Sequence, residues 1–165
     1  MSIKRIKQFY WGINARINKE DVKFIDNYLT TEEKILFYKL SKAEQKHCIR
    51  VTKDIIKTSV QYKDINIERL IKAGLLHDIG KTNCKLNVID KSIIVISDKI
   101  TSGNIKCFSK FRKVDTYYNH GTMGYNILKS QIKDEKLLNL IANHHKENLT
   151  KDQEMELLKL CDDRN

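Results

Sequence analysis

The sequence predicts an all-α fold, and three features of its 165 residues indicate this. The chain has no proline and only 6 glycines, so few residues would interrupt a helix. Apolar residues recur at spacings of three and four, which is the period of an amphipathic helix. Three residue pairs have the spacing of an N-terminal capping box: Thr30 with Glu33, Ser41 with Glu44, and Thr150 with Gln153.

The helix starts and the apolar period together predict seven helices. Between residues 82 and 119 the pattern is weaker, and the apolar segment Ile93–Ile96 suits a helix or a strand. We favour a short helix across Val88–Ile100. No repeat, low-complexity segment or flexible linker divides the chain, so we expect a single domain over residues 1–165. The seven predicted helices lie near residues 20–28, 31–40, 42–62, 67–79, 120–131, 134–146 and 151–162.

The N-terminal residues and the cysteines indicate the compartment. No apolar run long enough for a signal peptide or a membrane span follows Lys4, Arg5 and Lys7, so we expect a cytoplasmic protein without a membrane partner. The cysteines lack the CxxC spacing of a zinc ribbon and the pattern of a secreted disulfide framework. We therefore expect reduced thiols at Cys48, Cys84, Cys107 and Cys161.

The net charge of +10 favours negatively charged partners such as nucleotides, nucleic acid or a phosphorylated metabolite. An alternative explanation is composition alone. The sequence is rich in Lys, Ile and Asn throughout, and its positive charge is not gathered into one long run. Both interpretations stay open on the sequence.

Several ionisable residues fall on the core-facing sides of the predicted helices. Asp162, for example, follows Met155 and Leu158, whereas Asp163 shares its side with charged residues. Burying such groups without partners costs on the order of several kcal/mol each, so the set needs a compensating charge. Its members are His47, His77, Asp78, His120 at the start of its predicted helix, His144 and Asp162.

A divalent metal supplies that charge. A lone inward histidine is more often a hydrogen-bonded core residue, but here every histidine belongs to the set or, like His145, adjoins a member. Nitrogen and oxygen donors without thiolate suit an open site for Mn, Fe, Co, Ni or Zn. Six ligands exceed what one catalytic ion takes while keeping a water position, whereas two ions bridged by Asp78 would use them all.

The string Gly74–Lys81, GLLHDIGK, closely resembles the motif of HD-domain phosphohydrolases of the HDIG subgroup. The resemblance extends over residues 41–163. It implies a helical bundle of at least five core helices, with an HD core at 41–165 and an N-terminal helical extension, 1–40, packed on it. It also implies that the defining H…HD…D metal ligands are His47, His77, Asp78 and Asp162.

Two further motifs, HGTMG at His120 and IANHH at His144, resemble the additional ligands of binuclear HD proteins. This likeness implies a second ion at His120, His144 and the bridging Asp78, with His145 as an additional candidate; Fe, Mn, Ni, Co, Zn and Mg are not distinguished. HD-GYP phosphodiesterases also carry a His-His pair, but DGxGYP follows it there and Lys146-Glu-Asn-Leu follows here. The pattern is closer to small HD hydrolases of nucleotides, including the diadenosine tetraphosphate hydrolases.

The resulting hypothesis is hydrolysis of a nucleotide phosphomonoester or phosphoanhydride by metal-activated water. Asp78 would orient the nucleophile, and Lys81 would contact the phosphate, although a lysine favoured by the helix dipole explains Lys81 equally well. We expect Cys48 and Cys161, next to ligands, to turn away and pack. Gly121 and Gly124 would allow close helix approach.

Three other functions remain in competition. The first is a catalytically silent HD module that binds a nucleotide and regulates, and the second is a di-iron HD oxygenase. The third is an RNA-associated protein with a structural metal site, for which Phe9, Tyr10 and Trp11 could contact nucleic acid. Packing of an N-terminal helix on the bundle is the favoured explanation of those aromatic residues, so nucleic acid is the less favoured partner.

Overall fold

The computed structural model describes residues 10–11, 14–84, 88–101, 104–146 and 152–165, and its fold is all-α as predicted. Within these ranges no strand occurs, and Val88–Ile100 is a helix. The α-helices are α1 Lys19–Tyr28, α2 Thr31–Phe37, α3 Lys42–Thr58, α4 Ile67–Leu76, α5 Val88–Ile100, α6 Arg112–Leu128, α7 Glu135–Asn143 and α8 Gln153–Arg164, and the 3₁₀ helices are Ser59–Gln61, Ile79–Asn83 and Asn104–Phe108. In the described part of the chain, none of the helices has the length and apolar character needed to cross a membrane.

Two of the predicted capping boxes are present, with both reciprocal hydrogen bonds in each. They start α2 at Thr30 and α3 at Ser41. A third box starts α1 at Asn18 and was missed because its cap is an amide rather than a hydroxyl. The predicted cap Thr150 lies outside the described residues. The side chain of Asp152 accepts the capping hydrogen bond of α8, so this helix begins at Gln153 rather than at 151.

The prediction that His120 opens a helix is wrong. Helix α6 begins at Arg112, and His120 lies in its middle. The inward side of the first turns carries Thr116, which is buried although polar. A buried polar residue weakens the apolar period, and this hid the start of the helix from the sequence.

Five predicted helices, those that correspond to α2, α3, α4, α6 and α7, end three or four residues earlier than expected. Helix α3 stops at Thr58 and continues as a short 3₁₀ helix, and α4 stops at Leu76. His77 is the C-cap of α4, and Asp78 adopts φ −93° and ψ 3°, in the bridge region between helix and strand. The chain therefore turns at the His-Asp pair instead of carrying both residues on one regular helix.

The core is built around α3, which packs against α4 and α8, while α4 also packs against α7. Apolar side chains of these helices and of α1 and α2 form one buried cluster that includes Ile25, Phe37, Ile55, Leu75 and Leu158. Helices α5 and α6 share a smaller buried cluster around Ile94 and Val114. The elements that carry the inward histidines thus meet at the middle of the bundle.

Two buried carboxylates away from the histidines have cationic partners. Glu33 accepts from Lys72 at 2.8 Å, and Glu154 accepts from Arg69 at 3.1 Å. These ion pairs connect α2 to α4 and α4 to α8, so they fix the mutual positions of helices. Each of these buried charges is thus compensated by a charge of opposite sign.

Helix α6 approaches its neighbours at backbone distance, and glycines make this approach feasible. A Cβ atom added to Gly80 would lie 1.9 Å from the carbonyl oxygen of His120. A Cβ on Gly121 would lie 2.7 Å from the carbonyl oxygen of Ala142 in α7, as expected for a close helix approach. The 3₁₀ helix Ile79–Asn83 therefore contacts α6 at His120.

We expect Gly80→Ala to destabilise the protein by about 3 kcal/mol and to shift α6, because the new methyl group meets a backbone carbonyl that cannot rotate away. The matched control is Gly124→Ala, whose Cβ would lie 3.1 Å from the Ile141 side chain and no closer than 3.4 Å, an ordinary contact distance, to any backbone atom. Urea unfolding of the two variants measures the difference. Equal midpoints would contradict the importance of the Gly80 contact.

Candidate metal centre

The structure brings together all six ionisable residues that the sequence placed on inward faces. They come from separate helices: His47 from α3, His77 from the C-cap of α4, His120 from α6, His144 from the C-cap of α7 and Asp162 from α8, with Asp78 just after α4. Their side chains form one cluster, which we call the histidine-aspartate cluster.

One side of the histidine-aspartate cluster is organised by Asp162. Its Oδ1 atom lies 2.9 Å from Nε2 of His47 and 3.6 Å from Nε2 of His77. These three residues have donor atoms close enough to bind a common ion. The neighbouring carboxylate, Asp163, is exposed, which agrees with the choice of Asp162 from the helical period.

The other side consists of three imidazoles. Nε2 of His120 lies 3.2 Å from Nε2 of His144, and the ring of His145 lies 4.9 Å from that of His120, centroid to centroid. These three residues also have donor atoms close enough for a common ion. The structure thus places His145, an additional candidate from the sequence, with this group.

Asp78 lies between the two sides. Its Oδ1 is 3.4 Å from Nε2 of His120 and 3.6 Å from Nε2 of His77. Its Oδ2 is 3.9 Å from Nε2 of His47. A single carboxylate is therefore within reach of both groups, which is the position that a bridging ligand requires.

Backbone carbonyls orient three of the imidazoles. Nδ1 of His77 lies 2.9 Å from the carbonyl oxygen of Gly74. Nδ1 of His120 lies 2.9 Å from the carbonyl oxygen of Tyr117, and Nδ1 of His144 lies 2.7 Å from that of Ile141. Because a carbonyl only accepts, Nδ1 carries the proton and a neutral ring has its lone pair on Nε2. In each ring Nε2 points into the cluster, as in metal-binding histidines.

The close pair of His120 and His144 needs a cation between or beside its rings. Burial, and then the positive charge of Lys81, lowers the pKa of His120 to about 3, and burial likewise lowers the pKa of His144. Both rings are therefore neutral near pH 7, and their Nε2 lone pairs face each other at 3.2 Å. A bound metal ion would turn this repulsion into two coordination bonds, so the residues fit a metal.

The carboxylates of the cluster are ionised. Burial by itself would raise the pKa of Asp78, but Lys81 and the neighbouring histidines hold it well below the usual range. Burial would likewise raise the pKa of Asp162, but His77 and His47 hold it well below the usual range. The fully buried Nε2 of His77 has no hydrogen-bond partner among the described residues. An unpaired nitrogen beside two carboxylates is a further feature that suits a metal ligand.

Lys81 faces the cluster. Its Nζ donates to Oδ2 of Asp78 at 2.6 Å and lies equally close, 2.6 Å, to Oδ1. Burial would lower the pKa of Lys81, but Asp78 reverses the effect and raises it. The ammonium is thus a fixed positive charge next to the central carboxylate. Its contact with a phosphate stays a prediction.

The expectation that Cys48 packs is confirmed, because it belongs to the main buried cluster, but the expectation that it turns away from the site is wrong. Its thiol lies within 4.8 Å of the donor atoms of His77 and Asp78, because the inward face of α3 continues from His47 onto Cys48. Burial, and then the charge of Asp78, raises the pKa of this thiol well above its usual value, so it stays protonated. Cys161 is also fully buried. The position of Cys48 next to His47 in the sequence could have indicated that it lies near the site. Its residue type gave no reason to expect this.

Solvent reaches the histidine-aspartate cluster along one edge. The side chain of His145 is 54% exposed and that of His47 is 21% exposed, whereas His77 is fully buried. A ligand would therefore approach past His145 and His47. Away from the cluster, two surface depressions near Arg69 are lined by charged groups that already form ion pairs with one another.

We expect Asp162→Asn to weaken divalent metal binding by about 100-fold or more, because losing a direct ligand costs more than losing an outer hydrogen-bond partner. Asp163→Asn is the matched control, since it removes the same charge at the adjacent exposed position. Isothermal titration of each metal-stripped variant with Zn²⁺ or Mn²⁺ measures the affinities. Similar affinities for both variants would show that Asp162 is not a ligand.

The comparison with known families agrees with this geometry. The family model described as "HD domain" matches residues 45–164, a range that contains the whole histidine-aspartate cluster. Neither the curated proteins nor the solved structures include a significant match to the chain. Most of the chain lies within the matched range, and the protein is a member of the HD-domain family.

Proposed function

We propose that the protein is a metal-dependent phosphohydrolase of the HDIG type that holds two divalent ions and hydrolyses a nucleotide phosphomonoester or phosphoanhydride. Members of the HD-domain superfamily are mostly metal-dependent hydrolases. The observation that carries the proposal is the position of Asp78 between two groups of imidazoles, one of which has facing Nε2 atoms 3.2 Å apart.

The ligands form two groups, one for each ion. His47, His77 and Asp162 would hold one ion, and His120 and His144 would hold the other, with His145 as an additional ligand. Asp78 lies within reach of both groups and would serve both ions. The lone pair that each carbonyl-bound imidazole directs inward supports these roles.

Divalent ions would lower the pKa of a bound water and neutralise phosphoryl oxygens. The protein's own residues then hold the ions and position the reacting groups. The carbonyl-bound imidazoles need no reorientation on binding, since their rings are already fixed. Asp78 orients the nucleophile, and Lys81, 2.6 Å from Asp78, adds a positive charge for the phosphate. Imidazole and carboxylate donors suit Mn, Fe, Co, Ni or Zn.

A nucleotide is the substrate class that the positive charge of the chain supports best, and dinucleoside polyphosphates belong to that class. We place the reaction in the cytoplasm, where the free cysteines of the described residues would stay reduced. We also propose one domain with an HD core at 41–165. Ile25 and Phe37, which precede that core, belong to the same buried cluster as Leu158 of α8.

Purified protein should release phosphate or a nucleotide from at least one member of a panel of nucleotides and dinucleoside polyphosphates. EDTA should abolish the activity, and Asp78→Ala and His77→Ala should lower kcat by about 1,000-fold or more, because the nucleophile loses its ion. Asp163→Asn should keep wild-type activity. Full activity in either alanine variant would rule the hydrolase out. Tight nucleotide binding without product would favour a regulatory module, and oxygen consumption would favour an oxygenase.

The number of ions is tested separately by metal analysis. We expect about two equivalents per chain in the wild type and about one in His144→Ala, because that change removes a ligand of a single ion. A variant at an exposed basic position, Lys57→Ala, should keep both. One equivalent in the wild type, unchanged in His144→Ala, would contradict the binuclear arrangement.

A further inference from the structure

Arg50 lies beside the solvent-exposed edge of the histidine-aspartate cluster. It follows His47 by three residues on α3, and residues at this spacing are neighbours on a helix surface, with Cβ atoms about 5–6 Å apart. His47 is a partly exposed member of the cluster. The side chain of Arg50 therefore starts next to the partly exposed edge of the cluster at His47.

The guanidinium of Arg50 has no hydrogen bond or ion pair with any residue in the described ranges. Its Nε atom is buried and without a hydrogen-bond partner. The contact that the structure does give it is with the ring of Trp11, whose centroid lies 4.5 Å from the guanidinium carbon. An aromatic face attracts a cation but leaves the in-plane N–H donors unused.

The other basic residues on this side of α3 differ from Arg50. Lys46, one turn before it, lies 2.5 Å from Asp21, and Lys53, almost one turn after it, lies 3.6 Å from the same carboxylate. Asp54 is four residues after Arg50 and so is well placed to pair with it. Instead, Asp54 accepts a hydrogen bond from Asn165 at 3.3 Å. Lys42 and Lys57 on α3 have no acidic partner among the described residues either, but both are exposed, so Arg50 differs from them in being partly buried without a carboxylate.

An uncompensated guanidinium has a physical cost that an anion would remove. Burial lowers the pKa of Arg50, yet arginine stays protonated at neutral pH. Buried polar groups in proteins usually have partners, and exceptions often belong to ligand sites. The planar fork of a guanidinium matches two oxygens of a phosphate group, which a point charge such as Lys81 does not.

We propose that Arg50, held beneath Trp11, binds a phosphate group of the substrate at the His47 edge of the cluster. The identity of that anion as part of a substrate rests on the proposed hydrolase function. In this arrangement Lys81 and the metal ligands face the reacting phosphate. Arg50 binds a second phosphate group or the non-reacting oxygens of the first. Trp11 fixes the guanidinium and closes one side of the site. A solely structural Arg50, which only attaches the N-terminal segment to α3, is the competing explanation.

The test uses the full chain in EDTA, titrated with sodium pyrophosphate at constant ionic strength. Trp11 is the single tryptophan of the protein, so its fluorescence reports on an anion that binds at Arg50. Calorimetry on the same samples gives the affinity. The variants are Arg50→Met, Arg50→Lys and the control Lys57→Met, which removes an equal charge from an exposed position two turns along α3. Thermal unfolding shows that each variant is folded.

Pyrophosphate should change the Trp11 emission of the wild type, and Arg50→Met should bind it about 10- to 100-fold more weakly, the loss expected for a charge-assisted hydrogen bond. Arg50→Lys should lose less, because it keeps the charge without the fork. Lys57→Met should stay within about twofold of the wild type, since salt screens an exposed charge.

Equal affinity of Arg50→Met and the wild type, or no pyrophosphate binding by the wild type, would overturn the inference. These results are independent of turnover. If binding depends on Arg50 but no substrate of the panel is hydrolysed, the anion site stands and the hydrolase fails. If a substrate is hydrolysed with the same KM in Arg50→Met, the hydrolase stands and the anion site fails.

Discussion

The backbone contact between the 3₁₀ helix Ile79–Asn83 and α6 determines where the site forms. Gly80 has no Cβ, and this allows its backbone to lie against the carbonyl of His120. The chain has to leave the α-helix at Leu76 to make this contact, so His77 becomes a C-cap and Asp78 takes a bridge-region conformation. One tight approach thereby positions the His-Asp pair next to an imidazole of another helix.

Electrostatics around Asp78 follow from that approach. A fully buried carboxylate would ordinarily be protonated or paired, and here a lysine and several imidazoles keep the pKa of Asp78 low. The imidazoles of His120 and His144 in turn are neutral because the same bundle excludes water from them. The cluster thus combines ionised carboxylates with the neutral imidazoles of His120 and His144. Burial would lower the pKa of His77, but Asp78 and Asp162 reverse that effect and raise it, so a metal ion would displace a proton from this ring.

Charge compensation elsewhere in the fold makes the cluster and Arg50 stand apart. Glu33 and Glu154 each have a cationic partner, and Asp21 has two. The Nε2 lone pairs of His120 and His144 face each other, and among the described residues Arg50 has only the face of Trp11 as a polar partner. Two uncompensated kinds of group, the facing lone pairs of the cluster and the guanidinium of Arg50, thus belong to a cluster and to a residue three positions after its member His47 on α3. This combination suits a ligand that brings metal ions and phosphate oxygens together.

The sequence by itself determined the all-α class and the inward set of His47, His77, Asp78, His120, His144 and Asp162, because helical period and capping are local properties. It did not determine the start of α6, the cap of α8 or the approach of Cys48, since buried polar residues and neighbouring helices override the local pattern. Only the tertiary structure decided that Asp78 lies between two imidazole groups and that Arg50 has no carboxylate partner in the part of the chain that the structure describes. Both facts depend on distances between helices remote in sequence, and no spacing along the chain encodes such distances.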